Sequence, residues 1–403
     1  MNQKVFFLPV LLITTTILLN ACAAGGSGSS GQNDSQTLEV TQESVGQQQT
    51  HSIGSKWTKL IKRSDGNGWI DGHDIVTDSE GKIYMLGRTQ NYDNSQFFIK
   101  KYNTNGEEVW TIEKDILTQG EMRIAENNGN IYVTGYASEY NNNSNQNSKI
   151  YILSLTVEGE FVWENYFDIT PNYSSRLSFR VNENRIFISF FDQKSQYIFT
   201  LYSDGTLPVQ NEIKFLESDG NSLQITAFTT DINDNFYITG SKKCSENANI
   251  SCLYIAKSDS IGNVLWIYET FQEMAPYDLF VDNLDNTYLY STTHSSDLII
   301  LKLDQKGDQI LSKLFGSSAI DDGRDIHVSD NGNIHVSGST EGALFGQEKP
   351  EYTSGFITSF DSEGNHLSTN LYGSFMQGIT TDNSGGFYGT GSSGTKALIV
   401  KVK

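Results

Sequence analysis

The chain has 403 residues, a formal net charge of −20 at pH 7 and a pI near 4.6. A surface this acidic repels the phosphate backbone, so the composition disfavours DNA or RNA as a partner. Five prolines, 36 glycines and 12% aromatic residues are typical of short strands joined by tight turns.

The first residues have the order of a bacterial export signal. Lys4 precedes an apolar stretch from Val5 to Leu19, and small residues follow it. The alternative, a retained membrane anchor, is disfavoured because this stretch is shorter than the roughly 20 apolar residues that a spanning helix needs. We therefore predict that residues 1–21 are a signal peptide.

The sequence Leu19-Asn20-Ala21-Cys22 resembles the lipoprotein box of bacterial lipoproteins. The resemblance implies that Cys22 is acylated, with palmitate among its chains, and attaches the protein to a membrane. No aspartate follows Cys22, which favours the outer membrane of the cell envelope. Residues 22–50 are rich in Gly, Ser and Gln without hydrophobic periodicity, so we expect a lipid-anchored flexible linker.

A short alternating strand with an aromatic residue or histidine at its third position recurs about every 50 residues. The seven copies are Lys82–Gly87, Asn130–Gly135, Arg185–Phe190, Asn235–Gly240, Asn286–Ser291, Asn333–Gly338 and Gly386–Gly391. One strand precedes each copy, a third follows it, and a glycine turn then leads into a fourth. This pattern predicts an all-β fold over residues 51–403, a seven-bladed β-propeller with four antiparallel strands per blade.

The two ends of the array predict how the ring closes. The last copy ends after its third strand, Ala397–Val402, whereas Lys56–Lys62 at the other end has the pattern of a fourth strand. We expect the N-terminal strand to complete the last blade, because an open ring leaves unpaired strand edges. Two columns of aromatic residues, one at Tyr84 and its equivalents and one at Trp57, Trp110, Trp163 and Trp266, are predicted to pack between blades.

The repeat motif, clearest at Asn127–Gly135 and Asp330–Gly338, resembles the SBBP repeat of seven-bladed bacterial propellers. That family implies the fold and export from the cell, and no particular chemistry. The glycine-to-tryptophan spacing of the fourth strands, as at Gly106–Trp110, is similar to that of pyrroloquinoline-quinone-type propellers. Their relatives include the scaffold lipoprotein of the outer-membrane barrel-assembly machinery.

The connections between strands are predicted to fall on two unlike faces. Short Asp/Gly turns lie on one face, and long, dissimilar loops lie on the other, where binding sites are usual. Six aromatic residues of the long-loop face are our candidate binding residues: Trp69, Tyr92, Tyr140, Tyr173, Phe345 and Tyr352. The alternative is that these rings pack locally to hold their own loops.

Cysteine and histidine patterns indicate structural roles. Cys244 and Cys252 are expected to form a disulfide, because an exported protein folds in an oxidising compartment. His327 and His335 lie on paired strands without a third ligand at a readable spacing, so packing explains them and no metal or other cofactor is expected.

These observations favour a non-enzymatic module that binds a protein or glycan at the cell envelope. The alternatives are an envelope assembly scaffold, or an enzyme (a lyase or quinoprotein-like protein) with polar residues converging on the central channel. No catalytic residues are assigned, because the sequence has no recognisable acid/base or cofactor constellation.

Overall fold

The computed structural model describes residues 38–41, 56–63, 68–90, 95–116, 118–139, 147–168, 177–191, 196–208, 212–213, 225–243, 251–270, 274–348 and 350–402. These residues form strands, turns and irregular segments. No helix long and apolar enough to cross a membrane occurs among them. The strands form seven antiparallel sheets. The chain is a seven-bladed β-propeller, as predicted.

The strands are numbered in chain order. The N-terminal pair is β1 (Leu38–Thr41) and β2 (Trp57–Arg63). Blade 1 is β3 (Trp69–Thr77), β4 (Ile83–Gln90), β5 (Ser95–Tyr102) and β6 (Glu108–Lys114). Blade 2 is β7 (Thr118–Asn127), β8 (Asn130–Glu139), β9 (Asn147–Thr156) and β10 (Phe161–Asp168). Blade 3 is β11 (Ser178–Asn182), β12 (Arg185–Phe191), β13 (Gln196–Tyr202) and β14 (Glu212–Ile213).

The remaining blades continue the series. Blade 4 is β15 (Ala227–Thr230), β16 (Phe236–Lys243), β17 (Ser251–Ser258) and β18 (Val264–Thr270). Blade 5 is β19 (Met274–Val281), β20 (Thr287–Thr293), β21 (Leu298–Leu303) and β22 (Gln309–Phe315). Blade 6 is β23 (Asp321–Val328), β24 (Ile334–Thr340), β25 (Ser354–Phe360) and β26 (His366–Tyr372). Blade 7 combines β27 (Phe375–Thr381), β28 (Phe387–Ser393) and β29 (Lys396–Lys401) with β2.

Blade 7 closes the ring with strands from both ends of the propeller. Strand β2 pairs with β29 from Trp57↔Lys401 to Ile61↔Ala397, which confirms the predicted closure. The structure adds a fifth strand, β1, on the outer edge of β2, with Leu38 opposite Arg63. This strand lies within the segment expected to be a flexible linker. Pairing with β1 satisfies backbone N–H and C=O groups of β2 that would otherwise be unpaired at the edge of the sheet.

Tryptophans and glycines join neighbouring blades at a repeated contact. The glycine of each third-to-fourth turn has a positive φ, and at Gly307 a Cβ would lie 2.9 Å from the ring of Trp266 in the preceding blade. The Nε1 of that tryptophan donates to the carbonyl of Gln305, 3.2 Å away. Gly159 with Trp110 and Gly205 with Trp163 repeat the arrangement. The Trp column therefore packs between blades, as predicted.

Aspartates organise the first-to-second turns. In blade 7, Asp382 Oδ1 accepts the backbone N–H groups of Ser384 and Gly386, and its Oδ2 accepts the Tyr388 hydroxyl at 2.8 Å. The same aspartate–tyrosine pair occurs in blades 1 and 5, whereas blade 6 has Ser329 and His335 at these positions. The tyrosine column thus fills the core and also fixes the turns.

The first strand of each blade lines the central channel. In blade 1 this strand begins at Trp69, and a β-bulge interrupts its pairing between Gly72 and Asp74. Blades 2, 5, 6 and 7 have bulges at similar points. A bulge changes the direction of the following side chains. Polar residues just after it therefore line the channel.

Candidate functional site

The central channel contains a cavity of about 890 Å³. Its walls come from the first strands of all seven blades, and the first-to-second turns of blades 1, 5, 6 and 7, including Asp78, Asp282, Asn331 and Asn383, lie at its mouth. We call the face with these turns and the third-to-fourth turns the short-turn face, and the opposite one the long-loop face. A cavity of this volume is in the range that accommodates a small molecule.

Two carboxyl groups lie together on one side of the channel. Asp325 in blade 6 lies beside Asp278 in blade 5, and its Oδ2 accepts the backbone N–H of Ile379 at 2.8 Å. Burial raises the pKa of Asp325 well above its usual range, and the charge of Asp278 acts in the same direction. Two carboxyl groups placed side by side disfavour a second negative charge unless a cation lies beside them.

A third carboxyl group, Asp74 of blade 1, connects two blades. Its Oδ1 accepts the N–H of Ile75, and its Oδ2 accepts the N–H of Ile124 in blade 2 at 3.0 Å. Burial raises the pKa of Asp74, while Arg123 and these backbone donors oppose that shift. Asp74 therefore contributes both to blade packing and to the charge of the channel.

Two arginines face the channel from blades 2 and 3. Arg180 Nε donates to Thr229 Oγ1 at 2.9 Å, and its guanidinium lies 3.5 Å from Asp278 Oδ1 across blade 4. Arg123 Nε donates to the carbonyl of Leu177 at 3.1 Å, and its guanidinium contacts Glu121. The channel is thus divided between a basic side at blades 2 and 3 and an acidic side at blades 5, 6 and 1.

His327 lies next to the carboxyl pair. Burial and, to a smaller extent, the charge of Arg180 together lower the pKa of this histidine to about 4, so the ring is neutral at pH 7. The ring lies 4.9 Å from that of Phe280, and its Nδ1 is 3.3 Å from the Thr381 hydroxyl. His327 does pack against a neighbour, as predicted, but it also lines the cavity. His335 packs in the core against Phe387.

The candidate residues of the long-loop face have different environments. Trp69 is 45% exposed, and its Nε1 donates to Gln90 Oε1 at 3.2 Å. Tyr352 is 78% exposed in the connection between β24 and β25. Phe345 instead stacks on His366, with ring centroids 3.9 Å apart, and packs on Phe315 and Phe360. Local packing therefore accounts for Phe345, whereas the rings of Trp69 and Tyr352 are available to a partner.

Other predicted site residues lie outside the described residues: Cys22, Tyr92, Tyr140, Tyr173 and Cys244. Cys252 is buried and disulfide-bonded. Because its expected partner Cys244 is not among the described residues, the pairing stays a prediction. No group of three or more His, Cys, Asp or Glu side chains that could hold a metal ion occurs within the part of the chain that the structure describes.

The charged lining of the channel was not predicted from the sequence. Asp71–Ile75 and Asp322–Ile326 resemble each other, a similarity that by itself indicates a repeat-supporting role. A signal was nevertheless present in the column that contains Asp74, Arg123, Asp278 and Asp325. Charged residues recur there on strands whose other side packs in the core, and an inward-facing charge on a propeller's first strand indicates the channel wall.

Comparison with known proteins supports the fold alone. No family model matches the sequence, and no curated protein matches it. A crystal structure of a protein of unknown function from Bacteroides caccae aligns with 76% of this chain and 94% of its own, at 9% identity and a TM-score of 0.41. Two structures of the COPII coat on membranes align with 83% of this chain at 11% identity and a TM-score of 0.53. The alignment covers 83% of one COPII chain and 46% of the other.

Proposed function

We propose that this chain is an exported, lipid-anchored bacterial protein whose propeller binds a protein or glycan at the cell envelope and catalyses no reaction. The observation that carries the proposal is the exposure of Trp69 and Tyr352 on the long-loop face. Both belong to a closed ring whose tyrosine column is buried and whose tryptophan column is half-buried between blades. A rigid scaffold with exposed aromatic rings loses little conformational entropy on binding.

The anchoring part of the proposal rests on the sequence. Residues 1–21 act as the export signal, Cys22 carries the lipid with palmitate among its acyl chains, and the outer membrane is the destination. The motif resembles the SBBP repeat, and that family is widespread among exported bacterial proteins. Labelling cells with a palmitate analogue should mark the wild-type protein and leave Cys22→Ser unmarked. Equal labelling of the two proteins, or recovery of wild type from the soluble fraction, would overturn the anchor.

The binding surface is tested with matched variants on the two faces. Trp69→Ala and Tyr352→Ala remove exposed rings from the long-loop face, and Ile232→Ala removes a side chain that is 92% exposed on the short-turn face. Each protein is used as bait in envelope extracts and on a glycan array.

We expect wild type and Ile232→Ala to retain the same ligand, while each aromatic variant loses affinity by about tenfold or more, as interface aromatics commonly do. Circular dichroism and thermal unfolding establish that all four proteins are folded. If the folded aromatic variants retain the ligand as well as wild type, the long-loop face is not the binding surface.

A further inference from the structure

We propose that the central cavity is a second binding site, specific for a small organic cation such as an aliphatic amine, with Asp278 and Asp325 as its anchor. This inference goes beyond the proposed function, because the cavity opens on the short-turn face and includes neither Trp69 nor Tyr352. It also does not depend on the lipid anchor.

The charge of the lining selects a cation over an anion. Eight carboxyl side chains line the cavity: Asp74, Asp78, Glu126, Asp278, Asp282, Asp325, Asp330 and Asp382. Against them are three cationic side chains, those of Arg123, Arg180 and Lys302. With Asp325 uncharged, seven carboxyl groups still outnumber the three cationic side chains. A cleft lined by one sign of charge concentrates ligands of the opposite sign.

The cationic side chains of the lining are already engaged with the protein. Arg180 donates to Thr229, Phe179 and Leu279, and its guanidinium lies beside Asp278. Lys302 lies over the ring of Tyr288, 4.8 Å from its centroid. An anionic ligand would have to compete with these partners for the arginines. The arginines therefore bind an anion more weakly than free guanidinium groups would.

Asp278 lacks the blade-joining contact made by the other two acidic residues of its column. Asp74 accepts the N–H of Ile124 from blade 2, and Asp325 accepts the N–H of Ile379 from blade 7. In the described part of the chain, no hydrogen bond connects the Asp278 carboxyl with the N–H of Ile326 in the following blade. The Asp278 carboxyl is 20% exposed and lies beside Asp325 and the Arg180 guanidinium, so its exposed side can bind a cation in the channel while Arg180 stays next to it.

An ammonium group that donates to both carboxyl groups requires both of them to be ionised, so a proton on Asp325 leaves for the solvent when the ligand binds. The other charged or titratable groups around the pair are Arg123 from blade 2, Arg180 from blade 3, Asp74 from blade 1, and His327 on the same strand as Asp325. Because burial raises the pKa of Asp325, affinity should rise with pH until Asp325 in the free protein is ionised.

The wall beside the anchor suits the rest of such a ligand. Phe280 lines the cavity, and aromatic faces attract ammonium groups, whereas the ring of Tyr288 is already covered by Lys302. His327 Nε2 has no hydrogen-bond partner among the residues that the structure describes, so the neutral ring can accept a hydrogen bond from a second amine. Together these groups favour a diamine over a simple inorganic cation.

Isothermal titration of the full chain in detergent with putrescine tests the proposal. 1,4-Butanediol, of similar length but neutral, and succinate, which is anionic, are the comparison ligands. We expect saturable binding of putrescine alone, with about one proton released per ligand when heats in buffers of different ionisation enthalpy are compared. Absence of saturable putrescine binding, or equal binding of succinate, would overturn the proposal.

Two charge-matched variants locate the site. Asp325→Asn can still accept the Ile379 N–H and donate to Asp278, so the fold should persist while the second carboxylate is lost. Asp308→Asn removes the same charge from an exposed turn outside the cavity. We expect Asp325→Asn to weaken putrescine binding about tenfold and abolish proton release, with Asp308→Asn unchanged. Should Asp325→Asn fail to fold, Asp278→Asn serves in its place, and equal effects of the inner and outer substitutions would refute the anchor.

Discussion

Tyr388 and Tyr102 lie in the same core cluster between blades 7 and 1, and both are fully buried. The Tyr388 hydroxyl donates to Asp382 Oδ2 at 2.8 Å. The Tyr102 hydroxyl has no hydrogen-bond partner within the described residues. Replacing either residue with phenylalanine removes one oxygen atom and leaves the ring in place, so the two substitutions are chemically identical and differ only in the contact that is lost.

We expect the two substitutions to change the free energy of unfolding differently. Tyr388→Phe loses a hydrogen bond to a carboxylate, which contributes about 1.5–3 kcal/mol. Asp382 keeps its bonds to Ser384 and Gly386, so the turn itself should persist. Tyr102→Phe removes an unsatisfied polar group, whose burial costs about 1–3 kcal/mol, and the protein should be equally stable or more stable. The variants should therefore differ by about 2 kcal/mol or more.

Guanidinium denaturation followed by tryptophan fluorescence measures both values, and Trp57 lies 6.3 Å from the Tyr388 ring as a local reporter. A double-mutant cycle of Tyr388→Phe with Asp382→Asn then isolates the pair from other effects of the substitutions. If Tyr388→Phe and Tyr102→Phe have the same stability within about 0.5 kcal/mol, the aspartate–tyrosine pair does not stabilise the blade as we describe.

Three further measurements test other parts of the structure. Gly307→Ala should destabilise the protein by at least about 1 kcal/mol more than Gly129→Ala. Both glycines have positive φ, but only at Gly307 would a Cβ meet a neighbouring tryptophan. Equal losses of stability in thermal unfolding would contradict this contact. Because the pKa of His327 is lowered to about 4 in the folded protein, the neutral His327 ring contributes fully to stability above pH 6.5, and this contribution is lost as the pH falls toward 4. The stability difference between wild type and His327→Gln should narrow across that range by at most about 1.4 kcal/mol per pH unit, and a constant difference would contradict the shift. Non-reducing peptide mapping should find Cys244 joined to Cys252, and opening this nine-residue loop with Cys244→Ser should cost about 2.5 kcal/mol; a free Cys244 would contradict the pairing.

Local contacts explain why the sequence predicted the ring. The aspartates of the first-to-second turns in blades 1, 4, 5 and 7 hydrogen-bond groups two, four and six residues later, as Asp282 does, so the motif is contained in one hairpin. The Trp and turn-glycine columns reflect one contact made between successive blades, about 50 residues apart. Periodic residues of this kind identify the blades and their order, and the unpaired pattern at Lys56–Lys62 identifies the closure.

The channel and the fifth strand depend on long-range geometry and were not predicted. Asp74 and Asp325 belong to blades 1 and 6, and Arg180 reaches across blade 4 to Asp278. Only ring closure brings these side chains together. Strand β1 has no repeat partner in the sequence, because it extends a blade that already has four strands.

The column that contains Asp74 differs from the columns that hold the ring together. The column that contains Tyr84 has a tyrosine or another ring in all seven blades, since every blade must pack in the same way. The channel column instead contains Asp74, Arg123, Ser178, Ala227, Asp278, Asp325 and Gly378. Asp74 and Asp325 each accept an N–H from the next blade, so an aspartate there can serve blade packing. Asp278 makes no such contact in the described residues and faces Asp325 instead, at the cost of placing two carboxyl groups together. The guanidinium of Arg180, 3.5 Å from Asp278 Oδ1, offsets part of that cost, and the cationic ligand that we propose for the channel would offset more of it.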